Sequence, residues 1–336
     1  MAIKKISLEN FTVFEKMNID VCSGINVFIG ENGTGKTHLL KALYAFVDWT
    51  KGNRFPETQD KREVMQFFKQ LSECFSVTFG AIERNKKQFV ISVVTDISNY
   101  TFSIDSQKGC EDVVRKENFS TAFIPAKEML THSGLEKDYI DRKLPLDITL
   151  IDILNKSGVS TLRNLSEDMG SILKKIENII GGKVLYENNR YYIAKPNDVK
   201  IDFAVEAEGF KKLGLIYRLI ETGNIAKDSV LIWDEPESNI NPNNIPIIVD
   251  VLLELQRNGV QIFLATHSYD VARWFELNAE KDDELKYFNL KKTDNGVECS
   301  ATSDKYKSLS DSVIEDASDK LYNAVMIKLN GEQKNV

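Results

Sequence analysis

Cysteine is scarce in these 336 residues: Cys22, Cys74, Cys110 and Cys299 stand far apart, with no C-x-x-C pair. That argues against a zinc ribbon and for a reducing compartment. Histidine is scarcer still. His38, His132 and His267 are the only three, which excludes a histidine-rich metal site. No apolar run approaches the roughly 18 residues that a membrane-spanning helix needs. The opening Met1-Ala2-Ile3-Lys4-Lys5 lacks the apolar stretch of a secretory signal. The expected location is therefore the cytoplasm, with no membrane partner. Internal repeats and low-complexity tracts are missing as well. The formal charge of −7 disfavours a surface with general nucleic-acid affinity. The basic clusters at Arg84 to Lys87, Lys174-Lys175, Lys211-Lys212 and Lys291-Lys292 are of the kind usually found on solvated faces. What remains is a chain with 42% hydrophobic residues, enough for a sizeable core, and a length that suits one elaborated domain or two lobes.

The most specific stretch is Gly30-Glu31-Asn32-Gly33-Thr34-Gly35-Lys36-Thr37, directly behind the apolar run Ile25-Asn26-Val27-Phe28-Ile29. It follows the pattern G-x-x-x-x-G-K-[ST] at the exit of a strand. Gly30, Gly33 and Gly35 free the backbone so that successive N–H groups can point at phosphate oxygens. Lys36 supplies charge for the β- and γ-phosphates, and Thr37 offers a hydroxyl to Mg²⁺. His38 opens a segment, running to Trp49, that is apolar at helical spacing. Its N-terminus adds partial positive charge where the phosphates sit. Residues 30–38 are thus the candidate nucleotide contacts.

A second motif, Ser229-Val230-Leu231-Ile232-Trp233-Asp234-Glu235-Pro236, reads as a buried strand delivering two acids to its end. In phosphate-loop ATPases the first carboxylate holds Mg²⁺ and the second polarises the attacking water. Asp234 and Glu235 take those roles here. A third strand, Gln261 to Ala265, ends in Thr266-His267-Ser268. A histidine at that strand end can reach a γ-phosphate and sense hydrolysis.

Elsewhere the pattern predicts short opening strands at Ile3 to Leu8 and Met17 to Val21, a loop over 50–60 and a helix over Lys61 to Cys74. Strands are expected at Phe75 to Ile82, Gln88 to Thr95 and Tyr100 to Ile104, forming an antiparallel segment. Thr121 to Ile124 is a further strand. Helices follow over 127–182, the clearest from Leu162 to Ile180 and stopped at Gly181-Gly182. A hairpin turns at Asn188-Asn189, with a third strand at Val199 to Val205. Helices from Gly209, Ile245 and Ser268, a strand at Leu285 to Leu290 and a helix over 311–329 complete the reading.

The loop at 30–37, the Ile232–Pro236 strand end and the Ala265–Ser268 turn together resemble the ATPase heads of the ABC superfamily. The likeness is to the non-transporter branch of RecF, SMC and OLD-type ATPases. It is strongest to the compact stand-alone "AAA family ATPases" often encoded in prokaryotic defence loci. Ile6-Ser7-Leu8-Glu9-Asn10-Phe11 and Gly24 to Gly30 match that branch too. The resemblance covers 1–50 and 205–290 well and the middle in outline. It implies an α/β fold of the phosphate-loop NTPase class: an ABC-type head with an antiparallel β lobe and a short helical insertion in place of a coiled coil. The expected units are 1–125, 126–204 and 205–336.

The resemblance also implies a signature element, placed at Glu206 to Leu213. It departs from Ser-Gly-Gly-Gln: Glu208 stands at the serine position and only Gly209 is retained, so the helix N-terminus, Lys211 or Lys212 would contact the phosphate. Asn239 and Asn241 match the loop that touches a partner subunit's site. Lys127 or Glu128 would stand in for the Q-loop glutamine. By the same resemblance, Mg²⁺ and ATP are the cofactors. Two copies would sandwich ATP, with Lys36, Thr37 and Asp234 from one and Gly209 and Asn241 from the other, and hydrolysis at Glu235 would release the pair. A separate effector, such as a nuclease or toxin of an antiphage system, would respond. The alternative is a RecF-like repair ATPase that binds DNA in an ATP-dependent way.

Overall fold

The computed structural model describes residues 2–51, 61–103, 120–196, 199–310, 314–315 and 325–328. The chain opens with an antiparallel hairpin of β1 (Ile3–Phe11) and β2 (Phe14–Asp20). Alternation buries Ile3, Ile6, Leu8 and Phe11 on one face of β1. Strand β3 (Ile25–Gly30) is buried at all six positions, as befits the interior of a parallel sheet covered on both faces. It feeds the phosphate loop and helix α1 (Lys36–Lys51). Helix α2 (Lys61–Phe75) follows, then β4 (Val90–Thr95) and β5 (Asn99–Ser103). These two complete a four-stranded antiparallel sheet in the order β2-β1-β4-β5. Phe46 and Trp49 of α1, Phe67 of α2, and Tyr100 and Phe102 of β5 are buried between sheet and helices. The Phe67 and Phe102 rings stack at 3.8 Å between centroids.

The strand expected at Phe75 to Ile82 is absent. Phe75 ends α2, Ser76 takes φ 53, and Phe79–Ala81 forms a single 3₁₀ turn. Val77 is 42% exposed, so its β-branching meets no sheet. Extended pairing returns only as an isolated bridge between Glu83 and Phe11. The expected loop at 50–60 lies almost wholly outside the described residues, as do Ile104, Cys110 and most of the helix expected over 311–329.

Strand β6 (Thr121–Ile124) precedes α3 (Leu135–Arg142), α4 (Ile148–Gly158) and α5 (Glu167–Ile180). α5 starts five residues later than its apolar pattern suggests, because the Ser166 side chain accepts from Met169 N–H and caps it. Leu162 serves elsewhere, packed against Gly223. Gly181, at φ 73, ends the helix. β7 (Lys183–Glu187) and β8 (Arg190–Lys195) turn at Asn188 and Asn189, both with positive φ, as a two-residue hairpin requires. β9 (Val199–Asp202) joins them and stops short of Val205, because the Asp202 carboxylate caps a 3₁₀ turn at Ala204.

Helix α6 (Glu208–Glu221) leads to β10 (Val230–Asp234), α7 (Ile245–Arg257), β11 (Gln261–Thr266) and α8 (Tyr269–Asn278). The last described strands are β12 (Leu285–Thr293) and β13 (Gly296–Ser303). β13 escaped the sequence reading: its inward side chains are weakly apolar, although Asn295-Gly296 before it is a turn signal. The main sheet runs β13-β12-β3-β11-β10-β6, parallel except for β13. β6 therefore belongs to this sheet, hydrogen-bonded to β10 through Val230↔Thr121. The registers Asp234↔Ala265, Thr266↔Ile29 and Leu290↔Gly30 bring the carboxyl ends of four strands to one edge. Ligands of open α/β sheets bind at that edge.

Candidate active site

Gly33 and Gly35 have φ of 79 and 75, alternating with residues of negative φ. Such alternation turns successive N–H groups toward one concavity. The loop is tightly enclosed. A Cβ on Gly30 would fall 2.5 Å from the Leu290 carbonyl oxygen, and one on Gly35 2.5 Å from Val13 Cγ2. Thr34 Oγ1 donates to the Glu31 carbonyl at 2.8 Å. Lys36, 6% exposed, donates from Nζ to the carbonyls of Gly30 (2.6 Å) and Glu31 (2.9 Å). Burial lowers its pKa, opposed by the charges of Glu235, Asp234 and Glu237. His38 follows on α1 with its ring edge-on to Phe75, and burial lowers its pKa as well.

Across the sheet edge, Thr37 Oγ1 donates to Asp234 Oδ2 at 2.7 Å. The other oxygen, Asp234 Oδ1, is buried with no hydrogen-bond partner among the described residues. Burial raises the Asp234 pKa, with the Thr37 hydroxyl pulling against it. A hydroxyl, a carboxylate with an orphaned oxygen and a concavity for phosphate form the hard oxygen set that Mg²⁺ takes alongside nucleotide. These residues fit that ion, and Thr37 and Asp234 would hold it.

Glu235 adopts φ 48, a left-handed conformation unusual for a non-glycine residue and typical of constrained functional turns. Its Oε2 accepts from Ser238 Oγ at 2.9 Å, and its Oε1 lies 3.2 Å from His267 Nδ1. A carboxylate only accepts, so this pairing selects the histidine tautomer or charge state with a proton on Nδ1. Glu237, which the sequence reading did not single out, holds the histidine turn. Its Oε1 accepts from Thr266 Oγ1 at 2.7 Å and from His267 N–H at 3.1 Å. A third acid in Asp234-Glu235-Pro236-Glu237 was the available signal.

Within the one chain, the signature-like residues engage their own neighbours. Lys211 Nζ pairs with Glu208 at 2.8 Å, so each neutralises the other. Lys212, 4% exposed, turns inward and donates to the carbonyls of Pro236 (3.1 Å) and Glu235 (3.4 Å). Both ammonium groups are thus engaged within their own chain. Gly209 lies against Asn244, where a Cβ would come 2.7 Å from Asn244 Nδ2. Asn241 caps the 3₁₀ turn Pro242–Asn244 by accepting from Asn243 N–H, and Asn239 has φ 57. Among the described residues no hydrogen bond joins Gly209, Lys211 or Asn241 to residues 30–38. Glu128 accepts from Thr131 N–H at 3.2 Å, whereas Lys127 is exposed.

A phosphate loop, an acid pair and a histidine at three successive strand ends of this sheet define an ABC-superfamily ATPase head of the RecF and SMC branch. A family model described as "AAA domain, putative AbiEii toxin, Type IV TA system" matches residues 25–272, and the chain belongs to that family. It is similar to the DNA replication and repair protein RecF of Cytophaga hutchinsonii, 32% identical over 107 residues, which are 32% of this chain and 26% of that protein. RecF of Streptococcus uberis is 39% identical over 69 residues, 20% of this chain and 18% of that one. The chain thus spans about a quarter or less of the length of these curated relatives. Among solved structures, the Smc head domain of Pyrococcus furiosus, with an extended coiled coil and bound to the C-terminal domain of ScpA, superposes with a TM-score of 0.50 at 10% identity. The match covers 88% of this chain and 95% of that one, and it speaks to the fold alone. No helix among the described residues is long and apolar enough to cross a membrane.

Proposed function

We propose that the chain is an ATP-hydrolysing switch that closes around Mg-ATP as a pair of heads and thereby controls a separate effector protein. The observation that carries this reading is the convergence of Thr37, Asp234, Glu235 and His267 at one sheet edge, with Glu235 held between Ser238 and His267. Lys36 and the loop amides bind the β- and γ-phosphates. Thr37 and Asp234 would hold Mg²⁺, which when bound would supply charge neutralisation at the phosphate oxygens. Glu235 accepts a proton from the attacking water, and His267 fixes its carboxylate. Gly209 and Asn241, which make no hydrogen bond to residues 30–38 among the described residues, are available to complete the site of a second copy.

The family's description, which names a putative toxin of a Type IV TA system, favours a role in prokaryotic defence; the cytoplasm as its place and a separate nuclease or toxin as its effector are part of the same proposal. The RecF similarity favours a second reading, a repair ATPase that binds DNA when loaded with ATP. The test combines turnover assays with light scattering, with and without Mg-ATP, on the wild type and Glu235→Gln. Hydrolysis with an ATP-dependent doubling of mass supports the switch, and turnover by a chain that stays monomeric counts against it. ATP-dependent, strongly salt-sensitive DNA binding selects the second reading.

A further inference from the structure

Lys292 has no role in the reading above, yet it touches the phosphate loop. Its Nζ donates to the Asn32 carbonyl at 2.8 Å, and a Cβ on Gly33 would lie 3.2 Å from that nitrogen. We infer that Lys292 is a positioning residue that pre-orients the Asn32–Gly33 peptide for phosphate binding, acting from the convex side of the loop. This rests on the reading that the loop binds ATP.

The argument follows from the planarity of the peptide. In a trans peptide the carbonyl of one residue and the N–H of the next point in opposite directions within one plane. An ammonium that holds the Asn32 oxygen therefore aims the Gly33 N–H the other way, into the concavity. It also draws electron density toward that oxygen, which strengthens the N–H as a donor; bonds in a chain polarise one another. A loop that needs glycine at positions 33 and 35 is soft by construction, so an external hold is worth having. The hold on Asn32 opposes the one on Gly35, which is walled by Val13 and Phe14.

The strand that carries Lys292 is itself fixed. β12 pairs with β3 up to Leu290↔Gly30, two residues before Lys292. The β12–β13 turn is fastened to the β1–β2 turn. Val297 N–H donates to the Val13 carbonyl at 2.9 Å. Arg84 bridges Val13 O (3.1 Å) and Asn295 O (2.8 Å). The ammonium is thus delivered by a sheet rather than by a loop of its own. Its ammonium, against the Asn32 carbonyl, also adds to the positive field an incoming polyphosphate meets.

The test is nucleotide binding and steady-state turnover for the wild type, Lys292→Met, Lys292→Arg and Lys36→Ala, with ATP and ADP. Lys292→Met is expected to weaken both nucleotides by the same factor, about tenfold, the worth of one charge-assisted hydrogen bond. KM should rise while kcat holds, Lys292→Arg should restore most of the affinity, and the melting temperature without nucleotide should not move. Wild-type affinity in Lys292→Met overturns the inference while leaving the ATP reading intact. So does a loss that Lys292→Arg shares and that tracks a fall in melting temperature. A wild type that binds neither nucleotide overturns both.

Discussion

Thr37 and Asp234, 197 residues apart in sequence, share a 2.7 Å hydrogen bond between hydroxyl and carboxylate, and the second carboxylate oxygen is buried without a partner among the described residues. An arrangement so asymmetric is costly unless a cation completes it. Asp234→Asn keeps the shape and an acceptor but removes the charge. The expected outcome is ATP binding that no longer responds to Mg²⁺, with turnover down about 10²-fold or more. Titrations in Mg²⁺ and in EDTA check it; a variant that still gains affinity from Mg²⁺ contradicts the assignment.

Glu235→Gln should keep nucleotide binding and lose hydrolysis by roughly 10² or more, leaving paired heads that hold ATP. Lys36→Ala should instead lose binding, because Lys36 is the loop's own lysine. Equilibrium binding and single-turnover assays on the two variants separate the roles. Normal turnover in Glu235→Gln would remove the general-base assignment.

Lys212 gives a pH signature in which stability and activity move oppositely. Burial lowers its pKa to about 8 from the ordinary 10.5, against the pull of Glu237, Glu208, Glu235 and Glu128. Between those values the unfolded chain holds a proton that the folded chain has released, so this contribution to stability rises with pH across the window and is lost as pH falls through 8. Turnover should fall over the same rise in pH, because the hold on the Glu235 and Pro236 carbonyls loses its charge. Lys212→Met should show a lower kcat and lack both trends. Denaturant titrations and kcat measured from pH 7 to 10 test this; identical profiles for the two proteins would contradict it.

Gly209→Ala should fold normally. The atom its Cβ meets is the end of the Asn244 side chain, which can swing away, so the cost is about 1 kcal/mol or less. Gly209→Arg should leave ATP binding by a single chain intact and abolish turnover by blocking the approach of a second copy. Light scattering with an ATPase assay decides it, and full turnover in the arginine variant counts against a shared site.

The sequence made the chemistry legible where it is local. The phosphate loop, the Asp234-Glu235 pair and His267 each sit at the end of a buried strand, so the apolar run and the polar residues after it are contiguous. The hairpin at Asn188-Asn189 and the stop at Gly181 were readable for the same reason: backbone conformation at those points follows from the residue itself. The Phe75 to Ile82 segment misled because apolar residues there serve a helix end and a 3₁₀ turn, and composition alone does not tell those from a strand. The direction of Lys212, the hold of Glu237 on Thr266 and the contact of Lys292 with Asn32 depend on which strands become neighbours. Adjacent lysines at 211–212 and 291–292 look alike in sequence, yet Lys212 is buried beside the Glu235–Pro236 turn and Lys291 is exposed.

The pairing of β6 with β10 has a consequence for how such a chain can diversify. The excursion through residues 125–229 leaves the main sheet from one strand and re-enters on that strand's immediate neighbour. Its two attachment points are therefore fixed at a separation set by sheet spacing, whatever lies between them. Helices inserted ahead of α6 would leave the register of β3, β10 and β11 intact, while α6 itself stays tied to the Glu235 turn through Lys212. The sheet edge and the flank ahead of α6 are thus separable, and variation in the flank need not disturb the edge.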